Sequence, residues 1–202
     1  MSTPREPAPG KLVLSVLAAG DWWLLAWPGY RAGLVERFGP LDYESPALAF
    51  DHTDYYDAEL GARQQDGPGG QGGLFRRILG FARLVPLDSL ADVKLAFNAD
   101  EREHARPAGT RRVNLDPGLI TLERFVLASG KNFTHRVYLR QGIWADLTLV
   151  YNKKSGWVVL PWTFPDYATE DMKRRLTHLR ALYKTTTETA DPSAPEGAPE
   201  CP

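Results

Sequence analysis

The stretch RRVNLDPG, residues 111–118, sets a cation, an amide and a carboxylate at alternate positions (Arg112, Asn114 and Asp116) just ahead of Pro-Gly. Alternate side chains of an extended strand share a face, so these three would form one polar strip while Val113 and Leu115 turn the other way. Such a mixture suits recognition of a polar ligand. The plain alternative is an amphipathic strand with one solvated face. Pro117-Gly118 reads as a turn closing that strand, with Asp116 available to cap it. A second cluster, GKNFTHR at 130–136, supplies Lys131, His135 and Arg136. Lysine and arginine bind phosphate or carboxylate, and an imidazole that titrates near neutrality could move protons if Asp116 orients it. Asp116 and His135 are therefore the candidate catalytic pair, and Arg112, Asn114, Lys131 and Arg136 head a candidate ligand-binding set that also takes in Lys94, Asn98, Tyr55, Tyr56 and Glu59.

Other segments carry weaker signals. DHTDYYDAELG, residues 51–61, gathers Asp51, His52, Asp54, Asp57 and Glu59. Carboxylates with one imidazole could hold a divalent ion, but the spacing matches no EF-hand or zinc pattern, and a solvated acidic turn explains it as well. Tyr55 and Tyr56, with Glu59 beside them, suit a pocket rim, core packing being the ordinary alternative. Lys94 and Asn98 stand one helical turn apart and share a face. LPWTFPDY, 160–167, is either a groove wall or a staple onto the next helix. The tempting SGK at 129–131 is no phosphate loop, because Phe125 and Asn132 stand where that motif needs Gly and Ser or Thr. There is also no G-x-G-x-x-G. No nucleotide or dinucleotide cofactor is expected, and a divalent metal has only the acidic segment to recommend it.

The elements that must position these residues alternate along the chain. KLVLSVLAA, 11–19, reads as a buried strand. A helix over about 22–38 follows, with Asp21 as N-cap and Pro28 either kinking it or marking a start at Trp27–Pro28. YESPALAF (43–50) reads as a strand with Pro46 at an edge or bulge, and LFRRILGFARLV (74–85) as another. Residues 88–105 read as a helix capped by Asp88, and RRVNLDP as a strand. That order, βαββαβ, is the ferredoxin-like split βαβ. LITLERFVLASG (119–130) suits a helix ending at Gly130, THRVYL onward a three-stranded meander, and YATEDMKRRLTHLRALYKTT a closing helix capped by Thr169. The fold class is α+β: a ferredoxin-like start, then an antiparallel meander and a C-terminal helix.

One domain over 11–185 accounts for the 202 residues, with polar, proline-rich tails at 1–10 and 186–202 read as disordered and the Gly-rich 61–73 as a flexible loop. A formal net charge of −1 gives no global positive field for nucleic acid or anionic membrane. The lone Cys201 can build neither a disulfide framework nor a zinc cage, and no run reads as a signal peptide or membrane span, so a cytoplasmic address is expected.

Several runs together, FDHTDYYDAELG, LADVKLAFN, RRVNLDPGLITLERFVLAS, HRVYLRQGIWADLTLVY and LPWTFPDY, resemble a bacterial family known as domain of unknown function 4416, over about residues 11–185. The resemblance implies a single-domain bacterial cytoplasmic protein and supplies no established reaction. A GTP-binding label attached to some members is set aside, since the phosphate loop is absent. Positions matching the family pattern include Thr53, Tyr55, Tyr56, Glu59, Lys94, Asn98, Arg112, Asn114, Asp116, His135, Arg136, Thr148, Trp162 and Asp166. The chain departs from the pattern in the Gly-rich loop after Gly61, in Leu60 for a customary Met, and in the apolar DWWLLAWPGY helix. An exposed tryptophan cluster would be a liability, so Trp22, Trp23 and Trp27 are read as a possible dimer or partner face.

The leading expectation is a site for a small anionic, phosphate-bearing ligand, with Arg112, Lys131 and Arg136 holding its charge. The residues do not decide between binding and turnover. The rival is a scaffold module docking through the tryptophans. RNA binding through the Tyr pair is a third reading, weakened by the near-zero net charge.

Overall fold

The computed structural model describes residues 3–50, 56, 60, 73–107 and 109–190. The expectations for the acidic segment 51–59, including Tyr55 and Glu59, for the Gly-rich loop up to residue 72 and for the tail beyond 190 lie outside them. The first strand, β1 (Gly10–Ala19), is buried along its whole length. Alternate residues explain this. Leu12, Leu14, Val16 and Ala18 enter one core and Val13 a second on the opposite face. A strand covered on both sides reads as one continuous apolar run.

Helix α1 (Gly20–Leu25) follows directly, then α2 (Trp27–Phe38). Pro28 lies in the first turn of α2, where its missing N–H costs nothing. Asp21 is not the N-cap. That place falls to Ala19, and Asp21 sits in the first turn. The segment 43–50 is split at Pro46 into β2 (Leu41–Glu44) and β3 (Leu48–Phe50), which pair in tandem along β4 (Leu74–Val85). A short 3-10 turn (Leu87–Ser89) leads into α3 (Leu90–Glu103), with Ser89 rather than Asp88 at the N-cap.

The expected helix over 119–130 is absent. Strand β5 (Val113–Ile120) runs through Pro117-Gly118 and forms a hairpin with β6 (Arg124–Ser129). Phe125 and Leu127 enter one core while Val126 and Ala128 face the other. Two-sided burial fills alternate positions on both faces with apolar residues, which blurs the distinction from a buried helix. Then β7 (Arg136–Arg140), β8 (Ile143–Asn152) and β9 (Gly156–Val159) form the expected antiparallel meander. Gln141 and Gly142 turn between β7 and β8 with φ of 50° and 78°, a pair of positive φ values that suits a tight hairpin. The closing helix α4 (Glu170–Ala190) runs past Thr186, the end of its expected run, into the segment read as a disordered tail, and Thr169 Oγ accepts from Met172 N–H at 3.2 Å.

All pairings are antiparallel, in the order β2-β4-β1-β5-β6-β8-β7, with β3 beside β4 and β9 beside β8. Helices α1 to α3 pack one face, where Trp22, Leu34 and Phe97 meet Leu14 and Phe81. Helix α4 packs the other through Met172, Leu176, Leu179 and Tyr183. The protein is thus α+β, a large antiparallel sheet between helical layers. No helix of the described residues is long and apolar enough to cross a membrane.

One break in this sheet makes the site. β5 pairs with β1 from Val113 to Ile120 but with β6 only from Gly118 to Ile120. At Gly118 the strands approach closely, for a Cβ there would lie 2.7 Å from the Val126 carbonyl oxygen. Before it, Pro117 has no N–H to offer a neighbour. There the ladder stops and the strands part.

Candidate functional site

Where β6 leaves β5, helix α3 takes its place. Lys94 Nζ donates to the Leu115 carbonyl at 2.7 Å, and the Leu115 N–H donates to Glu101 Oε1 at 2.7 Å. Two side chains thus satisfy backbone groups that a neighbouring strand would otherwise have paired. Around this clasp Arg111 donates to Glu101 (3.1 Å) and Asn114 (2.9 Å). Asp116 accepts from Lys94 at 3.2 Å on one oxygen and from Asn114 at 2.5 Å on the other.

The gap opens into a cavity of about 780 Å³, bounded by α3, β5, the β6–β7 connection and the segment 164–167. Among the described residues five cationic and four acidic side chains line it, together with Phe50, Tyr56, Phe133, Phe164 and Tyr167. Arg76 enters from β4. Its side chain is 8% exposed, and its guanidinium lies 4.4 Å from the Phe50 ring centroid and 5.5 Å from that of Tyr167. One Nη pairs with Asp166, whereas the buried Nε has no hydrogen-bond partner among the described residues. Burial works against the Arg76 charge, but Tyr167 and the carboxylates of Asp166 and Asp116 outweigh it and hold its pKa above the ordinary value. Burial, reinforced by Asp116, pushes the Tyr56 phenol up and keeps it protonated. Burial does the same for Tyr167.

A second network backs the opposite wall. The buried carboxylate of Asp146 accepts from Arg136 Nε at 2.8 Å and meets His135 Nε2 at 3.2 Å. Arg136 also donates to Ser129 Oγ (2.9 Å) and the Lys131 carbonyl (2.8 Å), closing the β6–β7 connection. The His135 ring stacks on Trp162, with centroids 4.9 Å apart and planes 9° from parallel. Trp162 is itself pinned to the Leu147 carbonyl at 2.8 Å, in the interval of β8 that neither β7 nor β9 covers.

The residues expected from sequence are distributed as follows. Asn114, Asp116, Lys94, Asn98, Lys131, Arg136 and Tyr56 line the cavity. His135 stands behind Asp146, and the carboxylate it meets is Asp146, not Asp116. Arg112 points away, to Asp21 on α1 (3.1 Å), and Arg111 takes the cavity position instead. Strand β5 begins only at Val113, so its alternation does not reach back to Arg112. The tryptophans turn inward. Trp22 and Trp27 are buried, and Trp23 Nε1 donates to the carbonyls of Ala18 and Phe75. The exposed residues of that helix are Leu24 and Leu25. The run 160–167 is both wall and staple, since Phe164 lines the cavity while Tyr167 packs with α4.

The model of the family described as a domain of unknown function (DUF4416) matches residues 8–183, every strand of this sheet included. The chain belongs to that family. No curated protein and no solved structure matches it. Among described residues of this DUF4416 chain no group of three or more His, Cys, Asp and Glu is placed to hold a metal ion.

Sequence reasoning on chemistry passed over Arg76, Glu101, Arg111 and Asp146. For Arg76 a signal existed. Leu74, Arg76 and Ile78 occupy the buried alternate positions of β4, so a charge sits on the strand's apolar register. A charge in that register of a DUF4416 strand requires a buried partner, which Asp166 provides.

Proposed function

We propose that this DUF4416 protein binds a small anionic molecule in the cavity between β5 and β6. Arg76 carries the reading. A buried guanidinium in a cavity wall, with one carboxylate partner among the described residues, keeps further N–H donors for a second acceptor. Lys131 and Arg111 add positive charge to the lining, and the aromatic side chains supply apolar contact for the body of the ligand. Among the described residues each lining acid is paired with a cation, so the added charge is met locally. Asp146 with His135 behind it is the group best placed for proton transfer should turnover occur. A cytoplasmic setting suits a chain with a single cysteine. The lie of β4 between β1 and β2, with β5 on the other side of β1, supports a ferredoxin-like reading of the first half.

The test is thermal stabilisation by a panel of small carboxylates and phosphate monoesters. Arg76→Met combined with Asp166→Asn removes the guanidinium without stranding a carboxylate, and Lys131→Ala trims the rim. Both should abolish or weaken the shift, while Arg112→Ala should leave it intact. Equal shifts in all four proteins would sink the proposal.

A second reading has one observation in its favour. On the edge strand β7, Val137 and Tyr138 are 67% and 54% exposed, and Phe133 just before it is 61% exposed. An open strand edge with apolar side chains suits partner docking, and it replaces the tryptophan helix as the scaffold surface. Val137→Lys with Tyr138→Ser tests it through solution mass.

A further inference from the structure

Asp116, one of the carboxylates in the lining, is a group that an anion would avoid. Asp116 is 27% exposed, and its two oxygens are held separately, one by Lys94 and one by Asn114. Lys94 is itself fixed to the Leu115 carbonyl, so the carboxylate is locked in place and each oxygen keeps a lone pair to offer. An ionised carboxylate only accepts hydrogen bonds, so whatever rests against it must donate. Asn98 lies one helical turn from Lys94 on α3, lines the same cavity, and has no side-chain hydrogen bond among the described residues. Its amide both donates and accepts. A fixed acceptor beside an uncommitted amide is the usual equipment for reading hydroxyl or ammonium groups.

We infer that the ligand is bifunctional, with an anionic group held at Arg76 and a hydrogen-bond donor, hydroxyl or ammonium, read by Asp116 with Asn98. The inference rests on the anion-binding reading above and adds to it the second functional group. It divides the cavity chemically. Arg76, between the Phe50 and Tyr167 rings, takes the negative group. Asp116 rejects a second negative group and favours hydroxy acids or amino acids over plain acids of the same skeleton. The aromatic walls accept a ring between the two.

Matched probes test this by calorimetry or ligand-detected NMR. One series is 3-phenylpropionate, 3-phenyllactate and phenylalanine. The other is phenylacetate, 4-hydroxyphenylacetate and 4-aminomethylphenylacetate, which sets the donor farther from the acid. In at least one series the donor-bearing members should bind about ten-fold more tightly than the plain acid, in line with one charge-assisted hydrogen bond. Asp116→Asn should erase that preference while the plain acid binds at least as tightly as before, because a repelling charge has gone. Asn98→Ala, which removes no side-chain hydrogen bond among the described residues, should reduce it as well and covers the case in which Asp116→Asn does not fold. The hydroxyl and ammonium arms identify which donor the site prefers. Equal affinity across both series in the unaltered protein overturns the bifunctional ligand and leaves the anion site standing. Failure of every acid to bind overturns both.

Discussion

Glu101 offers the sharpest test of the idea that α3 replaces a missing strand. Its carboxylate accepts the Leu115 N–H at 2.7 Å and an Arg111 Nη at 3.1 Å, with its side chain 8% exposed. Glu101→Ala removes the acceptor that a buried backbone N–H has among the described residues and costs about 1–3 kcal/mol for that group alone. Losing an ionic partner of Arg111 adds about 1 kcal/mol. A total near 3 kcal/mol is expected. Glu101→Gln keeps a neutral oxygen for Leu115 and gives up only the charge, so it should cost about 1 kcal/mol. The gap between the two variants, about 2 kcal/mol, measures the backbone bond itself.

Urea unfolding with an unchanged m-value supplies the two free energies. Hydrogen exchange at Leu115 supplies the local check, because its amide should exchange faster in the Ala variant than in the Gln variant while β1–β4 amides respond alike. If the two variants agree within about 0.5 kcal/mol, below what one buried backbone bond is worth, the Glu101 half of the clasp is decorative and β5 before Gly118 is held by β1 and Lys94.

The remaining expectations concern single sites. Gly118→Ala drives a Cβ to 2.7 Å from the Val126 carbonyl and 2.8 Å from Phe125, so it should cost about 1–3 kcal/mol by thermal unfolding; a neutral result would show that the β5–β6 hairpin can yield there. Trp22→Asp places a charge at a site 1% exposed, among Trp23, Trp27 and Tyr30, and should destroy cooperative folding by more than about 4 kcal/mol; a folded variant changed only in mass would restore the tryptophan interface. The Arg175 hydrogen bond holds the Asp171 carboxyl below its usual range. Its stabilisation is complete above about pH 4 and is lost as pH falls through the lowered value; Asp171→Asn should cost about 0.5 kcal/mol at neutral pH and nothing in strong acid, which unfolding curves at two pH values would check.

Local pattern gave away the elements governed by local rules. The apolar run of β1, the Pro28 start of α2, the Thr169 cap and the turns of the meander all stood where propensity and turn chemistry place them. Residues 119–130 misled because β6 is buried on both faces, leaving no period-2 polarity to separate strand from helix. Pro117-Gly118 misled for another reason. The dipeptide usually marks a turn, but here proline sits where the ladder to β6 has not begun and glycine where the strands approach. Within the site, Asn114, Asp116, Lys94 and Asn98 carried a readable signal, since their neighbours in sequence show the face they share. Arg76 with Asp166, 90 residues apart, and Asp146 with His135 depend on tertiary pairing that no short window contains.

The same groups that repair the sheet also line the cavity, and this has a physical reason. Splitting an antiparallel ladder leaves backbone donors and acceptors that must be paired at the floor of the opening, and only polar side chains can do it without a new strand. Once brought there they are desolvated, so each recruits a counter-charge: Glu101 recruits Arg111, and Lys94 recruits Asp116. A network built that way can be complete within itself, and the clasp on Leu115 largely is. Arg76 differs because no element of the clasp needs it. It belongs to another strand, and its partner lies on the 164–167 segment. Architecture accounts for the charges on β5 and α3; the guanidinium on β4 repairs no break in the ladder, and the proposed anion site rests on that difference.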